Sequence, residues 1–176
     1  MTDGLPLSHS YNLARLGNAG DEVHFAADAE QRAAIARWSD VVSVEKLETR
    51  VQIRKISSTR FGLTFHFLAD VIQSCVVTLE PVAGHIERGF ERELHFAGTV
   101  RHKAPESEVV LDSDPEEGPE EIQSLHYDLA GPVLEEYVLS LEPYPRRPGV
   151  EFAPKPDPEV PPESPFAVLK GLKSGL

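Results

Sequence analysis

The sequence predicts an α+β fold, in which an antiparallel, partly barrel-like sheet of about six strands packs with two main helices. Three observations lead to this prediction. Apolar residues alternate with other residues between positions 61 and 96, two further segments show helical spacing of apolar residues, and the connections are short. Strands joined by short turns are typical of an antiparallel sheet. A Pro-rich C-terminal tail completes the predicted arrangement.

Length and composition indicate one ordinary water-soluble domain with tails. The chain has 176 residues, of which 40% are hydrophobic and 26% are charged. Cys75 is the only cysteine, which excludes an internal disulfide framework and a multi-cysteine zinc site. The N-terminal residues show no secretory signal, and no apolar stretch approaches the roughly 20 residues needed to cross a bilayer. We therefore expect a cytoplasmic protein without a membrane partner.

The negative charge is concentrated in one segment, residues 105–121, which we predict to be an acidic mobile loop. Without the eight acids of this segment, the net charge of −12 would be only −4. They are Glu106, Glu108, Asp112, Asp114, Glu116, Glu117, Glu120 and Glu121. The overall acidity argues against generic polyanion binding, so DNA is not an expected partner. The segment is either a solvated insertion or an acidic arm that screens an RNA-binding face or contacts a basic ribosomal protein.

The residue pattern of the N-terminal third predicts two short extended segments and one helix. Residues 5–13 and 23–25 are the extended pieces. Asp28 begins the helix, with Gln31 three residues later as in a capping box, and the helix runs to about Trp38. We expect Trp38 to be a core anchor against the sheet.

The residue pattern in the middle of the chain predicts a series of strands. Residues 41–56 read as extended structure, and the Phe residues between 61 and 67 alternate with other side chains. Asp70 marks the next predicted bend, Cys75 is predicted mid-strand on an apolar face, and Pro81–Gly84 is the predicted hairpin connection or bulge.

A second helix, near residues 129–141, precedes the Pro-rich C-terminal part. Its apolar stripe consists of Leu129, Val133, Leu134, Tyr137, Val138 and Leu141. We predict one domain over residues 1–145, a Pro-rich tether over 146–163 and a short docking helix over 164–173. The predicted partner-docking residues are Phe166, Leu169, Lys170, Leu172 and Lys173. The alternative is that this segment folds back on its own sheet.

The sequence contains no convincing catalytic or metal-binding constellation. The seven histidines form no paired ligand motif, although His66 and His95 could face each other across strands. No sequence feature supplies a base that would activate Cys75, and no phosphate-binding loop is present. We therefore expect no enzyme activity, no metal site and no cofactor.

The basic residues suggest an RNA-binding face. Several cations cluster around one predicted turn, and two more share the parity of a later strand. The candidate RNA-binding residues are Arg50, Arg54, Lys55, Arg60, Arg88 and Arg92. Phosphate contacts by such side chains supply affinity without sequence readout. An ordinary solvated strand face has the same pattern, so this alternative stays open.

Three sequence blocks together resemble one known family. The blocks are VIQSCVVTLEPVAGHIERGF, YDLAGPVLEEYVLSLEPYP and SPFAVLKGLK, at residues 71–90, 127–145 and 164–173. Their order and spacing resemble the YceD family of bacteria and plastids, the large ribosomal RNA subunit accumulation proteins. The form QSCVVTLEP is similar to the alphaproteobacterial branch of that family.

The resemblance implies a non-enzymatic accessory role in the accumulation, processing or stability of large-subunit ribosomal RNA, and hence in ribosome biogenesis. The implied partner is this RNA or its precursor, or a large-subunit ribosomal protein. The resemblance implies no catalytic residues. The alternative function is a protein-interaction adaptor that docks a partner through the C-terminal motif without contacting RNA.

Overall fold

A computed structural model describes residues 4–98 and 118–151 of the chain. It contains seven strands, two α-helices and one short 3-10 helix within those ranges. In chain order the elements are β1 (Ser10–Asn12), the 3-10 helix (Leu13–Arg15), β2 (Asp21–Ala26), α1 (Ala29–Trp38), β3 (Ser43–Lys55), β4 (Arg60–Ser74), β5 (Pro81–Phe96), β6 (Glu120–Ile122), β7 (His126–Asp128) and α2 (Ala130–Leu139). The α+β class is confirmed.

Five of the strands form one sheet in the order β2-β3-β4-β5-β6. The first four are antiparallel to their neighbours, and β6 pairs parallel to the end of β5. The strands β1 and β7 form a separate antiparallel pair, which brings the N-terminal segment to the start of α2. The predicted single sheet of six antiparallel strands is therefore a five-stranded mixed sheet plus a two-stranded one. No pairing among the described strands closes the larger sheet, so the barrel-like curling is not confirmed.

Alternation along β4 builds the core, as the sequence predicts. Its odd-numbered side chains from 61 to 71 are almost fully buried, whereas those that alternate with them are mostly half-buried or exposed. The buried set consists of Phe61, Leu63, Phe65, Phe67, Ala69 and Val71. Val51 and Ile53 of β3 face the same core, and the Phe65 and Phe90 rings stack with centroids 4.7 Å apart. Both helices cover this face, and the other face is open.

The position of the β4–β5 turn differs from the prediction. Asp70 lies within β4 and marks no bend, and Pro81–Gly84 belongs to β5 because Ser74 pairs directly with Pro81. Pro81 is tolerated because it is the first residue of the strand, where a missing amide donor costs little. The turn is instead formed by residues 75–80.

Both helices lie where the sequence predicts them, but the burial of Trp38 differs from the prediction. Asp28 and Gln31 form the expected capping box at the start of α1. Trp38 is 45% exposed, so its predicted role as a core anchor is wrong. On α1 the buried residues are Ile35 and Ala36, one turn earlier. On α2 the predicted stripe is buried from Leu129 to Tyr137, whereas Val138 is 40% exposed.

Two predicted segments lie partly or wholly outside the described residues. The end of the predicted acidic loop is ordered, since Glu120 and Glu121 belong to β6 and pair with β5. The rest of that loop, residues 105–117, lies outside the described residues, as does the whole of the predicted docking helix at 164–173. Within the described ranges, neither helix has the length and apolar character required to span a membrane.

Thr49 offers a test of the core. Its side chain is 4% exposed, and its hydroxyl has no hydrogen-bond partner among the described residues. It pairs in register with Phe25 and Phe67 on the core-facing side. Since a buried hydroxyl without a partner is unfavourable, we expect Thr49→Val to raise the free energy of unfolding by about 1 kcal/mol.

The matched control is Thr64→Val on the open face, where the threonine hydroxyl lies 3.3 Å from Glu91 Oε1. We expect this control to change stability by less than about 0.5 kcal/mol, as is usual for surface positions. Urea unfolding followed by circular dichroism measures both variants. A Thr49→Val protein less stable than the wild type would contradict this description of the core.

Candidate functional site

The predicted RNA-binding residues lie on both faces of the sheet. Arg50 and Arg54 are on the open face of β3, and Lys55 and Arg60 flank the β3–β4 turn. Arg88 and Arg92 of β5 share the side of Phe90 and Leu94, which is the face that the helices cover. The structure therefore places Arg54, Lys55 and Arg60 at the β3–β4 end of the sheet, whereas Arg50 lies farther along the open face opposite His66. The other two predicted residues are not part of the open face.

Arg88 and Arg92 make contacts within the protein instead. Arg92 Nη2 lies 2.8 Å from Glu135 Oε2 on α2, and Arg92 Nη1 lies 3.7 Å from Glu120 Oε2 on β6. Arg88 Nε donates to Ser140 Oγ at 3.3 Å, just after α2. Their interpretation as RNA-binding residues therefore finds no support in the geometry, because both side chains connect β5 to neighbouring elements.

The remaining four cations differ in how far acids neutralise them. Arg60 pairs with Glu93, and Arg50 Nε lies 3.9 Å from Glu22 Oε1. Within residues 4–98 and 118–151, neither Arg54 nor Lys55 forms an ion pair. Both side chains are exposed, so they are the strongest candidates for phosphate contacts on this surface.

Gly62 leaves room for the side chain of Arg54. The two residues are directly paired across β3 and β4. A Cβ atom at position 62 would lie 2.7 Å from Arg54 Nε, so the arginine lies across the glycine where any other residue would displace it. The open face thus presents the Arg54 guanidinium close to the sheet surface.

Histidines and carboxylates alternate over the rest of the open face. His24 Nε2 lies 2.6 Å from Glu22 Oε1, and His85 Nδ1 lies 2.6 Å from Asp70 Oδ1. The hydrogen bond from His24 is the main cause that keeps the pKa of Glu22 below its ordinary value. These acids dilute the positive charge, so the basic surface is confined to the β3–β4 turn.

His66, the central histidine of the open face, lies at a shallow depression. The depression has a volume of about 230 Å³ and is lined by His24, Arg50 and His66, among others. His66 lies 3.3 Å from Glu87 and pairs in register with Gly89, not with His95, so the predicted facing pair of histidines is wrong. Among the described residues, no group of three or more potential ligands could hold a metal ion.

The β4–β5 turn holds the single cysteine in an unexpected environment. Cys75 follows the last residue of β4, so its predicted mid-strand position is wrong, although its side chain is fully buried as expected. The turn is tied by Cys75 N–H donating to Glu80 O at 2.8 Å and by Leu79 N–H donating to Cys75 O at 2.9 Å. It is also tied to the segment after α2, because Val76 N–H donates to Pro145 O at 2.9 Å.

The pKa of the Cys75 thiol is lowered by hydrogen-bond donors in the turn and in the segment after α2. The Thr78 hydroxyl is the most important, followed by the backbone N–H groups of Arg147, Thr78 and Val77. Burial alone would raise the thiol pKa, but these donors outweigh it and lower the pKa to about 6. The turn therefore favours a thiolate near neutral pH, while the complete burial of the side chain keeps other molecules away from it.

No sequence signal predicts the β4–β5 turn or the donors near Cys75. The turn has neither Gly nor Asn, and Leu79 itself takes the left-handed backbone conformation with φ of 61°. Thr78 and the backbone of Arg147 were not among the candidate residues. Arg147 is 72 residues away from Cys75 along the chain, and only the packing of the segment after α2 brings the two together.

Comparisons of the chain with protein-family models, with curated proteins and with solved structures find no match.

The environment of Cys75 predicts a measurable titration. We expect the thiolate absorbance near 240 nm to appear with a midpoint at pH about 6 in the folded protein. Thr78→Val removes the strongest donor, so its midpoint should move up towards about 8.5, the ordinary value of a cysteine. Because the folded pKa is depressed, the stabilisation that it contributes is present above the unfolded pKa and decreases as the pH falls through about 6.

Ser74→Ala is the matched control for this titration. Its hydroxyl donates to Leu79 O at 3.1 Å in the same turn but does not contact the sulfur. We expect its midpoint to equal that of the wild type, and Cys75→Ala provides the blank. A wild-type midpoint in the ordinary range of a thiol would show that the donors do not outweigh the burial.

Proposed function

We propose that this protein is a cytoplasmic, non-enzymatic accessory factor for large-subunit ribosomal RNA, which supports the accumulation, processing or stability of that RNA. The proposed partner is the RNA, its precursor or a large-subunit ribosomal protein. The main support is the resemblance of three sequence blocks to the YceD family. The fold adds a second observation, which concerns the two blocks that lie within the described residues.

These two blocks, residues 71–90 and 127–145, contact each other directly. Gln73 Nε2 donates to Glu142 O at 2.9 Å, in addition to the bonds of Val76 with Pro145 and of Arg88 with Ser140 described above. The first block is the β4–β5 hairpin, and the second is β7, α2 and the segment that follows. Sequence segments that resemble one family thus belong to one packed unit, which favours a shared role for them.

The basic surface at the β3–β4 turn supports direct RNA contact. Arg54 and Lys55 are exposed and have no ion-pair partner among the described residues. Arg60 lies across the same turn, and Arg50 lies four residues earlier on β3. Charged side chains of this kind bind phosphates without reading the sequence. We leave Arg88 and Arg92 out of this proposal because α2 and β6 engage them.

A protein-interaction adaptor is the second candidate function. The observation that favours it is the number of large apolar side chains that are exposed near the β4–β5 turn, including Leu79 at 78% and Leu139 at 80%. Exposed apolar surface of this kind often marks a protein-binding site. Cross-linking in cells separates the two functions, because the adaptor predicts a protein partner and no RNA adducts.

Deletion of the gene tests the leading proposal in cells. We expect the amount of mature large-subunit ribosomal RNA to decrease relative to small-subunit RNA, with accumulation of its precursors. Northern blots and sucrose-gradient profiles measure both quantities, and a plasmid copy of the wild-type gene is the control. Unchanged RNA levels together with normal subunit profiles would refute the proposal.

Substitution of Arg54 and Lys55 tests direct RNA contact. We expect the double variant Arg54→Gln/Lys55→Gln to bind a single-stranded fragment of large-subunit ribosomal RNA more weakly than the wild type. Each lost phosphate contact reduces the salt dependence, so the slope of log K against log salt should fall by roughly 1.4 for the pair. Filter binding at several salt concentrations measures the slope.

The matched control removes the same charge from another part of the surface. Arg37 and Arg146 are exposed, and Arg146 follows Pro145, which is bonded to the β4–β5 turn at the other end of the sheet. We expect Arg37→Gln/Arg146→Gln to keep the wild-type slope. Equal slopes for both double variants would show that the β3–β4 turn is not the RNA contact.

A further inference from the structure

Exposed apolar side chains gather at the end of the sheet that holds the β4–β5 turn. Six of them, each between 45% and 80% exposed, define what we call the hairpin-end surface. They are Trp38, Val42, Val76, Leu79, Leu139 and Tyr144. When such side chains lie close together, they often mark a binding site.

Hydrogen bonds bring the elements that carry these side chains to the same end. Val42 N–H donates to Ile72 O at 2.9 Å, which holds the segment after α1 beside the end of β4. Ser39 Oγ lies 3.4 Å from Tyr137 Oη, so the end of α1 meets the last turn of α2. The β4–β5 turn is bonded to residues 142–147, as described above. The segments that carry the six side chains therefore meet at one end of the sheet.

Leu79 is the most unusual member of this surface. It holds a left-handed backbone conformation that large residues rarely adopt, and its side chain is 78% exposed. Gly or Asn would suit such a position better in a turn whose only task was to reverse the chain. A strained backbone that displays an apolar side chain to solvent points to a contact made by that side chain.

The C-terminal part of the chain leaves the described structure close to this surface. Pro145 is buried against the turn, and Arg147 forms an ion pair with Glu80. Residues 152–165 then separate this point from the apolar sequence that begins at Phe166. A chain spans at most about 3.3–3.6 Å per residue, so this spacer is long enough to return the segment to its exit point.

We propose that residues 166–172 of the same chain bind the hairpin-end surface. This segment supplies Phe166, Val168, Leu169 and Leu172, whose burial against apolar side chains is favourable. Because residues 152–165 tether the segment to the domain, its binding is intramolecular, and weaker contacts suffice to hold it than would be needed for a separate peptide. The inference is independent of RNA binding, and any protein partner of the hairpin-end surface has to displace this segment.

Trp38 is a built-in probe for this contact because it is the only tryptophan and belongs to the surface. We expect Phe166→Ala/Leu169→Ala in the full-length chain to shift the emission maximum of Trp38 to longer wavelength and to increase its quenching by acrylamide. Leu79→Ala alters the hairpin-end surface instead of the C-terminal segment, and it should produce the same changes in the emission and quenching of Trp38. Circular dichroism of each variant verifies that the domain remains folded.

The control is Lys155→Ala/Glu159→Ala, which carries two substitutions in the spacer and should leave the emission unchanged. A synthetic peptide of residues 164–173 should restore the wild-type emission of the Phe166→Ala/Leu169→Ala variant only near about millimolar concentration, as for an untethered segment. Identical emission and quenching of this variant and the wild type would overturn the proposal. A wild-type emission maximum that shifts on dilution would also overturn it, because the segment would then bind a second molecule.

Discussion

The register between β3, β4 and β5 is the constraint on which the rest of the structure depends. Because side chains alternate strictly along a strand, a shift of one residue would send Phe65 and Phe67 to the open face and His66 into the core. The observed register places the apolar set of all three strands under the two helices. The same register positions Arg54 over Gly62 on the opposite side. The core and the basic surface are thus two consequences of one pairing.

Regular patterns were the part of the fold that the sequence predicted well. The capping box at Asp28, the α2 stripe and the alternation along β4 all depend on near neighbours in the chain, and each is found. The β4–β5 turn was misplaced because Pro81 and Gly84 are usual turn residues, whereas the actual turn contains neither. The prediction for Trp38 is wrong because helical spacing alone does not show whether another element covers the last residue of a helix, and Trp38 is 45% exposed.

The features of the candidate site that the sequence does not predict are formed by contacts between segments that are distant in the chain. The strand pattern predicts that Arg92 is an exposed cation. In the structure it forms ion pairs with Glu120 and Glu135, which come from segments distant in the sequence. The donors around Cys75 likewise include the backbone of Arg147, which follows α2. Arg54 and Lys55 are exposed, because residues beside a tight surface turn have few distant partners. The sequence pattern therefore indicates the exposed cations and the buried thiol, but not the donors that surround the thiol.

The parallel pairing of β6 with β5 has a consequence for how the acidic segment can vary between related chains. Two parallel strands cannot be joined by a tight turn, and their connection needs about a dozen residues or more. Residues 97–119 form that connection, so they act as a spacer whose minimum length is set by the sheet. The number and order of its acids are under no such geometric requirement. Among homologous chains, we therefore expect the charge of this segment to vary freely. Deletions that leave fewer than about a dozen residues should be selected against, since the pairing of β6 with β5 and the contact of Glu120 with Arg92 would be lost together.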